Sequence, residues 1–167
     1  MRAVLVVAAL GSTAVAAPKA TPVQLTWVVH ASAATDENYK QALELEVTTA
    51  GKTKTITLKP QVGALYAYNQ IACKTDAYPL GKNEVAKITF YEGGAGGYFV
   101  RHKGSAYELV DWFLTDGACD DKKGNFVACP RQEKLVQKLA VPANAQLVDR
   151  IIEVDLAGQR TPFVCGQ

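Results

Sequence analysis

Apolar and polar residues alternate with a period of two along most of this chain, which commits it to strands with one buried face and one wet face. In Leu43-Glu44-Leu45-Glu46-Val47, three apolar residues share one side and two glutamates take the other. Ala86, Ile88 and Phe90 alternate in the same way with Lys87, Thr89 and Tyr91. The threonine-rich stretch Thr53 to Lys59 carries Ile56 and Leu58 on one side, and Val148, Ile152, Val154 and Leu156 form an apolar row broken by Arg150. Half-buried strands of this kind belong to antiparallel sheets.

Turn chemistry separates the strands. Ala50-Gly51-Lys52 reads as a tight connection, Pro79 to Asn83 as a loop, and Glu92 to Gly97 as a glycine-rich hairpin tip. One segment reads differently. Across Pro130 to Leu139, a proline can occupy a first helical turn, and Leu135, Val136 and Leu139 fall at helical spacing, which predicts a short helix stopped by Val141-Pro142. About nine short strands and at most one helix predict an all-β fold, a single antiparallel sandwich or small barrel, because the crossover helices of a parallel sheet are missing.

The first seventeen residues stand outside this pattern. Arg2, the apolar run Ala3 to Leu10 and the small residues ending Ala14-Val15-Ala16-Ala17 have the order of a secretory signal peptide. The run is too short to span a bilayer as a helix, which needs about 20 residues. Residues 1–17 are therefore expected to be removed, leaving 18–167 as one disulfide-linked β domain, secreted or periplasmic, with no stable membrane insertion. Of the 18 Lys and Arg set against 16 Asp and Glu, one is Arg2. Such a balance gives no field for nucleic acid.

An oxidising destination turns the four cysteines into candidate bridges. Cys119 and Cys129 bracket a polar loop containing Gly124, so a local turn suffices to join them, and closing a short loop costs less chain entropy than closing a long one. That pairing leaves Cys73 with Cys165; the alternative joins Cys73 to Cys119 and Cys129 to Cys165. No cysteine pair has the two-residue spacing of a zinc knuckle.

Residues that could carry chemistry are few. Beyond the leader the serines are Ser32 and Ser105, and Ser105, in Lys103-Gly104-Ser105-Ala106, lacks the glycine two residues after the serine that a nucleophile elbow shows. The histidines are His30 and His102. Asp111 accompanies Tyr107, Leu109 and Phe113 on an otherwise apolar strand face, so it lies either half exposed at a sheet edge or buried with a partner. His102 and Asp111 are thus the weak catalytic candidates for a small secreted hydrolase. Asp116, Asp120, Asp121 and Asn125 cluster oxygen donors, but they lack the alternation of a calcium loop, and Lys122 and Lys123 offset their charge. No cofactor is expected.

Aromatic pairs offer the other candidates. Tyr66 and Tyr68 share a strand side, and Tyr91 and Tyr98 flank the glycine-rich tip, so either pair could present a binding platform. Together these readings favour a non-catalytic binding or interaction domain, a class that includes inhibitors, with a protein or small ligand as partner. Its expected surfaces are the glycine-rich tip and the cross-linked loop Asp116 to Cys129. A hydrolase, or an assembly subunit that donates an edge strand, is the alternative.

Overall fold

The structure, a computed structural model, describes residues 19–31, 42–58, 80–91, 94–115, 117–142 and 144–164. Within them lie β1 (Thr21–Ala31), β2 (Ala42–Thr49), β3 (Lys52–Leu58), β4 (Glu84–Tyr91), β5 (Gly94–Lys103), β6 (Ala106–Thr115), β7 (Ala118–Asp120), β8 (Phe126–Ala128), β9 (Gln132–Leu139), β10 (Ala145–Leu156) and β11 (Gln159–Pro162). The fold is all-β. A five-stranded sheet runs β11-β10-β1-β2-β3, a four-stranded sheet runs β4-β5-β6-β9, and β7 and β8 form a separate hairpin.

The alternation read from the sequence builds the space between the two large sheets. Leu25, Trp27, Val29, Leu43 and Leu45 of one sheet meet Ile88, Phe90, Tyr98, Val100 and Leu109 of the other in one buried cluster. The sheets thus form two packed layers, not a closed barrel. The outer face of the four-stranded sheet carries a second, smaller cluster of Ala95, Phe99, Val110 and Trp112. Lys87 lies 4.6 Å from the Trp112 ring, and Arg131 lies 4.6 Å from Phe99 and 5.2 Å from Trp112. Cations over ring faces let a charged sheet surface cover aromatic area.

Three expectations are corrected. The segment predicted as helix is strand β9, antiparallel to β6. A bulge explains the misleading spacing. The register shifts between Leu109 and Val110, so Val136 is an extra residue, and Val136 and Leu139 both pack on the main core although three apart, while Leu135 points to solvent.

A second bulge breaks the expected row in β10. The register on β1 jumps from Leu147 to Asp149, so Val148 is the extra residue and is 59% exposed, while Leu147, Ile152 and Val154 pack inward. The third correction concerns direction: β1 and β10 pair in parallel, so the sheet is mixed. Alternation reports which face of a strand is buried and carries no information on the direction of its neighbour. The crossover that a parallel pair requires is made here by the chain between β1 and β10, which includes the whole four-stranded sheet.

Glycine conformation is decisive in β5. Gly97 has φ of +149°, and a Cβ there would lie 2.2 Å from the Ile88 carbonyl oxygen. Only glycine allows β4 to approach so closely.

Candidate functional site

Among the described residues, the exposed hairpin β7–β8 between β6 and β9 is the element braced by a covalent bond. Cys119 and Cys129 are joined at its base, with Cα atoms 4.9 Å apart. The local pairing expected from spacing is therefore present, while Cys73 and Cys165 lie outside the described residues.

Asp121 organises the tip. Its Oδ1 accepts hydrogen bonds from the backbone N–H of Lys123 at 2.7 Å and of Asn125 at 2.9 Å, and its Oδ2 accepts one from the Asn125 amide at 3.0 Å. The Asn125 side chain and then these backbone donors hold the Asp121 carboxyl below the ordinary carboxylate range. A carboxylate so occupied by its own loop serves as a turn former. Asp116 lies outside the described residues, and no metal-ligand grouping of three or more side chains occurs among the described residues.

The ordered tip displays apolar surface. Phe126, opposite Asp120 in the hairpin register, is 81% exposed, and the neighbouring Val127 is 41% exposed. Sequence reasoning marked this loop through its cysteines and acidic residues but passed over Phe126. A lone aromatic carries no periodic signal, so its exposure emerges only from the hairpin's projection away from the sheets.

Of the tyrosine pair at the glycine-rich tip, Tyr98 is fully buried on the inner face, opposite Ile88 and Asp111, and the Tyr91 side chain lies outside the described residues. Tyr98 is therefore a core residue. Tyr66 and Tyr68 lie outside the described residues.

The two weak catalytic candidates are also separated. Asp111 is fully buried on the central strand β6, the second of the alternatives expected for it, while His102 is exposed and its ring lies 5.0 Å from that of Tyr107. Asp111 faces Tyr98 in the β5–β6 register and His102 faces Tyr107, four residues along the strand, or about 13 Å at 3.3 Å per residue. An acid–base couple needs hydrogen-bond reach.

The structure builds its histidine–carboxylate grouping around His30 instead. The His30 Nε2 lies 2.9 Å from Glu44 and its Nδ1 lies 3.3 Å from Asp155, joining β2, β1 and β10 on the outer face of the larger sheet. Arg160 of β11 crosses to Glu46 at 2.8 Å and lies 3.8 Å from Asp155; the Glu46 hydrogen bond raises its pKa further. With a carboxylate beside each ring nitrogen, neither nitrogen of His30 is open to a nucleophile or substrate. The grouping works as a clasp across four strands. It was invisible in sequence because its members come from three separate parts of the chain.

A longer charge ladder crosses the other sheet. Lys87 meets Glu84 at 3.2 Å, Glu84 also binds Arg131, Arg131 meets Glu133 at 2.7 Å, Arg101 joins Glu133 at 3.1 Å to Glu108 at 2.9 Å, and Lys103 ends it. Burial alone would push the Glu84 carboxyl up. The Gly81 N–H, Arg131 and Lys87 together outweigh it and hold that carboxyl low. Burial lowers the Lys87 ammonium, with Glu84 opposing. The ladder locks Arg131, two residues after Cys129, and so anchors the outgoing end of the exposed hairpin.

The fold and this site together describe a two-layer β protein that carries a covalently braced, aromatic-tipped hairpin. No protein-family model matches the chain, and neither a curated protein nor a solved structure matches it.

Proposed function

We propose that this chain is a secreted, non-catalytic interaction domain that engages a protein partner through the β7–β8 hairpin. The observation that carries the reading is Phe126, 81% exposed on a hairpin whose base is closed by a disulfide and whose tip is closed by Asp121. A large aromatic held in water forgoes about 1.5–3 kcal/mol of burial, which a partner's pocket can recover. Bridge and turn fix the loop before binding, so little ordering entropy is lost on association. Aromatic anchors of this kind dominate interface energetics. The leader-like N-terminus and the bridge itself support an extracellular or periplasmic setting.

The test compares capture from native secretions by the oxidised wild-type chain, by Phe126→Asp, and by Leu135→Asp, which removes an exposed leucine on β9. A protein retained by wild type and by Leu135→Asp but lost with Phe126→Asp supports the hairpin as the contact. Equal retention by all three would overturn it.

A further inference from the structure

The open side of the sandwich, between edge strands β3 and β9, holds a cleft of about 480 Å³, within the size range of small-molecule sites. Its walls are Val47, Ile56, Leu139, Val141 and Pro142. Thr49, Gln137 and Ala140 also line it, with two lysines, Lys52 and Lys54. Both have inward parity, since Lys54 pairs with the buried Val47 and Lys52 with Thr49.

An inner face of a sandwich is ordinarily apolar at every second residue. Here two successive inner positions carry long cationic side chains that keep their heads in water, and among the described residues an apolar wall lies open behind them. Among the described residues, neither lysine has an ion pair, although carboxylates on both outer faces are extensively paired.

We propose that this cleft is a binding site for an amphipathic organic anion, with the aliphatic body against Val47, Ile56, Leu139 and Pro142 and the anionic head between Lys52 and Lys54. Charge complementarity selects the occupant. The walls favour any apolar chain, while the two ammonium groups at the mouth, without an ion pair among the described residues, favour a carboxylate or similar head and disfavour a cationic one. Inward charges on an edge strand also discourage edge-to-edge pairing. That role accounts for the lysines but not for the apolar cleft retained behind them. The proposal is independent of the hairpin reading, because the cleft and Phe126 share no residue.

The experiment titrates the oxidised full chain with octanoate, decanoate, decanol and decyltrimethylammonium below their micellar concentrations, by calorimetry and amide chemical shifts. Decanoate is expected to saturate one site, shifting amides of the β2–β3 hairpin and residues 137–142. It should bind up to about fifteenfold tighter than octanoate, from two more buried methylenes. Decyltrimethylammonium should bind at least tenfold more weakly. Lys52→Glu/Lys54→Glu should reverse that order, Lys52→Gln/Lys54→Gln should erase it, and Phe126→Asp should leave it unchanged. No saturable binding, shifts confined to other regions, or an order that survives the charge reversal would each overturn the proposal.

Discussion

The guanidinium of Arg150 on β10 donates to the backbone carbonyl of Val85 on β4 at 3.0 Å, joining the two sheets. Val85 is skipped in the β4–β5 register, and Arg150, just past the bulge at Val148, has the parity of the inward-packing Ile152 and Val154. The arginine that interrupts the apolar row of β10 thus serves as a tie between layers.

That arrangement predicts opposite outcomes for neighbouring substitutions. Val148→Thr is expected to change unfolding free energy by less than about 0.5 kcal/mol, because the bulge holds Val148 outward. Leu147→Ala should cost about 2 kcal/mol, since Leu147 packs against the main core. Urea denaturation of both variants checks the register, and the reverse ranking would place the bulge elsewhere.

Acid sensitivity follows from the charge ladder and the hairpin tip. The Glu84, Glu108 and Asp121 carboxyls are all held below their ordinary values of 4.5, 4.5 and 3.8, Glu108 chiefly by the Arg101 hydrogen bond. Groups with depressed folded pKa values contribute stability that is full above the unfolded values and lost as pH falls through the folded ones. Their contribution is therefore constant from neutral pH down to about 5 and falls below about 4.5. Glu84→Gln should lower stability at pH 7 by about 1–3 kcal/mol, because it removes the carboxylate charge that Lys87 and Arg131 both contact, and should flatten the acid limb. Thermal melts from pH 3 to 7 measure both effects.

Two glycines separate close approach from backbone preference. Gly97→Ala should destabilise by about 2–4 kcal/mol or prevent folding, since its Cβ would meet the Ile88 carbonyl oxygen. Gly104, at φ +62° with open space around it, should cost about 1 kcal/mol when changed to alanine. Soluble yield and chemical denaturation of the pair distinguish the two causes.

Removal of the bridge is expected to act locally. The ten-residue separation of Cys119 and Cys129 corresponds to about 2.7 kcal/mol of loop-closure entropy. Cys119→Ser/Cys129→Ser should accelerate amide hydrogen exchange across 118–128 well beyond the loss of protection that lower global stability imposes on β5 and β6, because the hairpin forms a sheet of its own. Uniform loss of protection would show that the bridge supports the whole fold.

Much of the strand framework was legible because burial on one face imposes a period of two wherever a strand runs undisturbed, as in Leu43 to Val47 and Ala86 to Phe90. Reading failed where a bulge inserted one residue: Val136 and Leu139 then took a spacing of three and imitated a helix. It failed again at Tyr98, whose place beside a glycine-rich turn suggested a surface although its parity carried it inward. His30 illustrates a third limit, since its partners Glu44 and Asp155 become neighbours only when β2 and β10 flank β1.

The sequence by itself determined the all-β character and the Cys119–Cys129 bridge, because alternation and short-loop closure are local properties of the chain. Tertiary structure decided the parallel pairing of β1 with β10, the exposure of Phe126 and the cleft behind Lys52 and Lys54. Each of these depends on which strands become neighbours and how far the two layers part, and those are set by contacts between residues far apart in the chain.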